Sequence, residues 1–262
     1  MKEVVIAGYL RTAQSRSRPN DPARDWFNKI RADELLGKLL PETIKRTGID
    51  AKEIDDFIVG CATGVSEQFS FGGRFPLFLA NLPETIAAKS VDQQCGSAMA
   101  GIHIGFMEIA MDFADVVMVG GMEHMTRVPM GGPLIDRGAI KPNMGLFMAP
   151  EYQHWDVMTA MNMGLTAEKL FAQNDFTKED MDKWGVRSHE LAAKALGIDP
   201  DTVNVMGGGT AIGHALGATG ARLTGTLARI LNEKGGRYGC ANACVGGGQG
   251  VATIIEKEDY DW

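Results

Sequence analysis

Three short segments each set one reactive side chain among small residues. They are Asp92-Gln93-Gln94-Cys95-Gly96-Ser97, Gly213-His214-Ala215-Leu216-Gly217 and Cys244-Val245-Gly246-Gly247-Gly248. A thiol nucleophile, an imidazole and a second thiol fit carbon–carbon bond chemistry on thioesters better than they fit a protease or a metal centre. Cys95 is expected where a strand turns into a helix, and the free N–H groups of a helix N-terminus favour a thiolate. The usual fate of a free cysteine is a small buried hydrophobe; polar Gln93 and Gln94 and the following Gly96 weigh against it here. His214 has space for a substrate on one side, as a base toward a thiol or a donor to a thioester oxygen; the plainer alternative is a histidine held by a backbone carbonyl in a tight turn. Cys244 precedes three glycines whose N–H groups can line an oxyanion pocket, against the alternative of a strand-end cysteine with a glycine bulge.

Other patterns are weaker. Gly213-x3-Gly217-x2-Gly220 matches neither the dinucleotide fingerprint nor the phosphate loop. Cys240-x3-Cys244 with His214 lacks a common zinc spacing and a fourth ligand, so no metal is expected. No Gly-x-Ser-x-Gly elbow is present. His103 and His189 read as structural or solvent-facing, whereas His124, just past a strand end, reads as close to a ligand.

The elements that must position these residues alternate. Strands are expected at Val4 to Gly8, Asp56 to Cys61, Ala87 to Asp92, Asp115 to Gly120, Arg237 to Cys244 and Gly250 to Glu256, with a further return to strand from Val203. Leu35, Leu36, Leu39, Leu40 and Ile44 fall at helical spacing between Arg31 and Thr47, and Gly48 stops that helix. A short helix is expected from Gly72 to Leu82. Ser97 to Phe113 is apolar or small all round, the mark of a helix buried on every side. Met130 to Ala160 reads as a loop excursion. Helices follow at Asn162 to Asn174, Thr177 to Leu196 and Ala211 to Leu231. Strands alternating with helices imply a layered α/β domain with a mostly parallel sheet. Two helix–strand units, one opened by Cys95 and one by His214, suggest related halves that face one another.

Composition sets the outer bounds. The chain has 262 residues, 45% hydrophobic and 23% charged, with a net charge of −7. That is ordinary globular composition with no basic face for a nucleic acid. The three arginines from Arg11 to Arg18 read as a solvated loop. No window reaches the roughly 18 apolar residues of a membrane span. Four cysteines without a secretion signal suggest free thiols in a reducing, cytoplasmic compartment.

Taken together, the motifs resemble the thiolase family. Asp92 to Ser97 is similar to its nucleophile motif, and Gly121-Met122-Glu123-His124-Met125 to the strand end that follows. Met163-Gly164-Leu165-Thr166-Ala167-Glu168 is similar to the start of its coenzyme A loop domain. Gly213 to Arg222 is similar to its histidine motif, and Cys244 to Gly250 to its second-cysteine motif. The resemblance implies an α-β-α-β-α layered fold. It also implies an acyltransferase that cleaves 3-ketoacyl-CoA, or runs the reverse Claisen condensation, through an acyl-Cys95 intermediate. His214 would activate Cys95, Cys244 would move the α-proton, and the N–H groups of Cys95 and Gly246 would form an oxyanion hole. Met163 and Gly164 would contribute to binding coenzyme A, which is substrate rather than resident cofactor. Dimers or tetramers are implied, with Phe69, Phe71, Phe75 and Phe78 a plausible interface or, equally, core.

The resemblance has gaps. Ala215 stands where the family usually has proline. Family members are much longer, and the missing stretch is expected after the Trp184 to Leu196 helix, where the chain runs almost directly into Gly197-Ile198-Asp199-Pro200. The Asn-Glu-Ala-Phe motif, whose asparagine orients the water used in enolate formation, has no counterpart. The expected organisation is therefore 1–125 as an N-terminal half, 126–196 as a partial loop domain and 197–262 as the remnant of an incomplete second half. A chain so shortened is expected to be marginally stable or to rely on tight association. A catalytically impaired acyl-CoA-binding or heteromeric subunit, and an acyl-CoA thioesterase-like hydrolase, are the rival functions.

Overall fold

The computed structural model describes residues 1–174, 177–180, 182–183 and 212–258. They fall into two units, 1–142 with 214–262, and 143–213.

The first unit is built on a three-stranded parallel sheet. After helix α1 (Ala32–Thr47) come strand β1 (Asp56–Gly60), helix α2 (Arg74–Leu79), strand β2 (Ala87–Val91), helix α3 (Ser97–Ala110) and strand β3 (Val117–Gly121). The spatial order is β2-β1-β3, with Gly60 opposite both Val91 and Gly121. The central strand is buried at every position, as a parallel strand covered on both faces should be. Leu36 and Leu40 of α1, Phe57 and Val59 of β1, Leu77 of α2 and Ile86 form the main core. Gly48 ends α1 in a left-handed conformation, and its N–H bonds the Ile44 carbonyl.

A short helix α4 (Gly132–Asp136) closes this part of the chain, and the unit resumes with helix α8 (Leu216–Lys234). Strands β4 (Tyr238–Val245) and β5 (Gln249–Glu256) form an antiparallel pair. The two helix–strand units expected to face one another meet through their helices, since α8 packs on α3 as well as on β3 and β4. Glycine permits the approach. A Cβ on Gly220 would fall 2.6 Å from Met99 Cβ and 2.8 Å from its Cα.

Two expectations fail in this unit. Val4 to Gly8 is not a strand: it is irregular, with Val5 49% and Ile6 44% exposed, and Lys2 N–H bonds the Ala110 carbonyl. A short apolar run becomes a strand only where a sheet edge takes up its backbone groups, and periodicity alone does not supply that edge. Helix α3 is also not buried all round. Its N-terminal half packs inward, but Phe106 and Met107 are half exposed, and Met111 and Phe113 beyond its end more so.

In the second unit the expected excursion contains short helices. These are α5 (Gly145–Met148), a 3-10 segment Pro150–Trp155, α6 (Val157–Met161) and α7 (Met163–Ala172). Asn162 caps α7 by accepting from Leu165 N at 3.1 Å. Thr177 opens the next segment as expected, with Asp180 N–H bonding its Oγ1 at 3.1 Å. The rest of the Thr177 to Leu196 helix, His189, the chain junction after Leu196 and the strand from Val203 lie outside the described residues. No helix among the described residues is long and apolar enough to cross a membrane.

Candidate active site

In a parallel sheet all strands deliver their C-terminal ends to one edge, and ligands gather beyond that edge. Here β1 runs into Cys61 and Ala62, β2 into the Asp92–Cys95 turn, and β3 into Met122–Met125. Leu216, at the start of α8, packs on Cys95 and Ala62, with Met125 against them. A Cβ on Gly217 would lie 2.6 Å from Cys61 Cα and 2.8 Å from the Gly60 and Met122 carbonyl oxygens. Only glycine lets this helix start sit directly on the strand ends.

The nucleophile turn is tightly braced. Gln94–Gly96 is a 3-10 turn leading into α3, and Gln94 has a φ of 47°. That left-handed backbone costs a non-glycine residue about 1 kcal/mol. Asp92 offsets it by accepting from Gln94 N at 2.9 Å and Gln94 Nε2 at 3.1 Å. Buried Ser97 donates to the Gln94 carbonyl at 2.6 Å and accepts from Gln93 N at 3.0 Å.

Cys95 is buried at this turn and Cys244 lies exposed at the end of β4; both are free thiols. Burial pushes the Cys95 thiol above its ordinary value, and the neighbouring Cys244 adds to the effect. The N–H groups of Gly246 and of Cys95 itself act in the opposite sense, favouring the thiolate. The expectation of a lowered thiol pKa at a helix N-terminus is thus overturned, because desolvation outweighs the N–H groups. Gly246 of the expected oxyanion pair lies beside the nucleophile turn, where a Cβ on it would fall 3.3 Å from Gln94 Cγ. Cys61 is a different case: burial, and then the Glu123 carboxylate beside it, pushes its thiol up to about 12, which disfavours the thiolate.

His214 lies exposed just before α8. Desolvation of its ring, then the nearby Arg222 charge, lowers its pKa below the ordinary 6.5. Its Nδ1 lies 2.6 Å from Thr219 Oγ1, and the Thr219 hydroxyl lies 2.8 Å from the Ala215 carbonyl. A hydroxyl has one proton, and a carbonyl can only accept. Thr219 therefore donates to Ala215 and accepts from His214 Nδ1–H, which leaves Nε2 as the free basic nitrogen. Among the described residues His214 makes no hydrogen bond to Cys95; the start of α8 brings it to the Cys95 neighbourhood through Leu216.

The sequence reading missed three positioning residues. Glu123 accepts from Ala62 N and Gly217 N, both at 3.0 Å, and from Gln68 Nε2 at 2.7 Å, so it ties β1, β3 and α8 together. Thr219 sets the imidazole tautomer and Asp92 braces the turn. Glu123 carried a weak signal, an acid directly after an apolar strand. Thr219 carried none beyond its spacing from His214.

Other candidates settle differently. His124 is buried and its Nε2 lies 3.0 Å from the Phe27 carbonyl. His103 Nε2 lies 2.8 Å from Thr253 Oγ1 and links α3 to β5. Met163 and Gly164 open α7 in the other unit, both exposed. Phe69, Phe71 and Phe75 contact one another, with Phe71 and Phe75 stacked at 5.7 Å, and Arg74 covers the Phe78 ring; all four rings are more than a third exposed. No group of metal-ligating side chains occurs among the described residues.

Residues 4–199 match the family described as thiolase, N-terminal domain, and residues 155–257 match thiolase, C-terminal domain. A 3-ketoacyl-CoA thiolase of Acinetobacter baumannii is 24% identical over 400 residues, with 98% of each chain covered. A 3-ketoacyl-CoA thiolase of Acinetobacter baylyi is similar to the same degree. One from Saccharophagus degradans is 35% identical over 195 residues, covering 74% of this chain and 46% of that protein. The 400-residue alignment far exceeds the 262 residues of this chain, so the relative holds a long stretch without a counterpart here.

Proposed function

Because this chain belongs to the thiolase family, we propose that it transfers acyl groups between thioesters through Cys95, cleaving 3-ketoacyl-CoA with coenzyme A or running the reverse condensation. The observation that carries the reading is the seating of the Cys244–Gly246 strand end on the nucleophile turn, where a Cβ on Gly246 would lie 3.3 Å from Gln94 Cγ and one on Gly96 2.7 Å from Val245 Cγ2. In this reading His214 Nε2 takes the thiol proton as Cys95 attacks the keto carbonyl. The two N–H groups hold the oxyanion. The bond between the α- and β-carbons breaks, and Cys244 protonates the acetyl-CoA enolate. Coenzyme A then takes the acyl group from Cys95.

The rest of the reading follows the family. Met163 and Gly164 contribute to coenzyme A binding, and coenzyme A is substrate with no resident cofactor. The flanking segments 1–125 and 197–262 act as the two halves around the site, with 126–196 as a partial loop domain. The protein works in the cytoplasm as a homodimer or homotetramer joined at the exposed phenylalanine cluster.

Product analysis with acetoacetyl-CoA tests the activity. Without coenzyme A at most one acetyl-CoA per site is expected, with continued turnover only when coenzyme A is added and none with Cys95→Ser. Free acid released at the same rate without coenzyme A would replace this reading with hydrolysis.

A further inference from the structure

Among the described residues a buried cation beside the site lacks a counter-charge. Arg222 is only 7% exposed, and among the described residues its buried Nε has no hydrogen-bond partner. Among the described residues no carboxylate pairs with it; its titratable neighbours are the neutral phenol of Tyr9, the imidazole of His214 and a second cation, Arg11. A buried unpaired charge is costly, so such a site calls for an anion.

Arg222 lines a cavity of about 160 Å³, with Tyr9, Arg11, Thr12, Gln14 and Ser15 among its walls. Among the described residues two more polar atoms here lack a well-formed hydrogen bond. Tyr9 Oη is buried without a well-formed hydrogen bond, although Thr226 and Arg11 stand beside it, and Gln14 Oε1 is buried and unpartnered. The two acids of the wall are already engaged. Asp25 accepts from Thr126 Oγ1 and from Phe27 N at 2.9 Å, and Glu123 holds Ala62, Gly217 and Gln68. His124 lies against the Phe27 carbonyl. None of Cys95, His214 and Cys244 is among the described residues of the lining.

We propose that this cavity binds a small free oxyanion of the phosphate class, with Arg222 and Arg11 supplying the positive charge. The orphaned atoms select the ligand. Arg222 Nε–H needs an acceptor, and the Tyr9 hydroxyl and the Gln14 side-chain amide can each add a hydrogen bond in either sense. Hydrogen phosphate carries both acceptor oxygens and a P–OH, whereas chloride can only accept. The volume admits one such ion with a few waters.

Thermal melting of the purified full chain, titrated with inorganic phosphate against sodium chloride at matched ionic strength, tests this. A saturable phosphate-specific rise in Tm is expected. It should vanish in Arg222→Gln and need at least fivefold more phosphate in Arg11→Gln. Arg11 is exposed, so the second variant decides the matter if the first does not fold. Phosphate acting no better than chloride, or both variants responding as the parent does, would overturn the proposal. Radiolabelled phosphate bound to the parent should resist displacement by equimolar coenzyme A. Displacement would assign the site to the phosphates of coenzyme A and overturn the free-ion assignment.

Discussion

Cys95 and His214 carry opposite shifts, which keep the thiol protonated and the imidazole neutral. Burial keeps the Cys95 thiol protonated above the ordinary 9.0, so it does not react as a free thiolate at neutral pH. Desolvation and Arg222 keep His214 neutral below the ordinary 6.5, so the imidazole stays a base over a wider range. The sign of the pH dependence follows: protonation of His214 abolishes activity only below pH 6.5, and a rate–pH profile should place its acid limb there. A limb above 6.5 would contradict the placement of His214. Thr219→Val removes the acceptor that fixes Nε2 as the base, and should slow acylation by about tenfold with little change in fold. Stopped-flow acylation beside a thermal melt separates the two effects. The cysteines and the histidine were legible because small residues around a reactive side chain are an uncommon pattern. The direction of the Cys95 shift was not, because burial depends on Leu216 and the end of β4, which arrive from distant parts of the chain.

The elements work by bringing three strand ends and two helix starts within backbone contact. Glu123 is the tie, and Glu123→Ala would leave the Ala62 and Gly217 N–H groups unsatisfied and the Gln68 Nε2 with the Thr63 carbonyl as its remaining acceptor. A loss on the order of 3 kcal/mol is expected from denaturant unfolding. Gly220→Ala should cost about as much, since its methyl group would overlap the backbone of Met99. Helix α1 was readable from its leucine spacing and Gly48, and the three parallel strands from their apolar runs. Val4 to Gly8 carried the same apolar signal as β1, yet only β1 has neighbours on both edges. Local pattern gives the appetite for a strand; the partner edge decides whether one forms. Helix α3 was misjudged for the same reason, because an apolar sequence is buried only where another element covers it.

At the scale of the whole molecule, much apolar surface of the first unit is left to solvent. Phe69, Phe71, Phe75, Phe78 and Leu79 form one patch, and Phe106 and Met107 extend from α3. Single exposed hydrophobes are ordinary, but a contiguous cluster is more typical of an interface. The proposed homo-oligomer should therefore melt at a temperature that rises with protein concentration. Paired Phe75→Asp and Phe78→Asp should lower its mass in light scattering to that of the monomer. A parent chain that is monomeric and melts independently of concentration would count against this. The short length was visible from the missing Asn-Glu-Ala-Phe motif, but what the loss does to the second half depends on residues outside the described set. The central claim is that Cys95 takes an acyl group. Intact-mass measurement of the 28.2 kDa chain after incubation with acetoacetyl-CoA tests it most directly. One added acetyl group, absent in Cys95→Ser and removed by coenzyme A, is the predicted result; an unmodified parent chain, or an adduct that survives in Cys95→Ser, would contradict it.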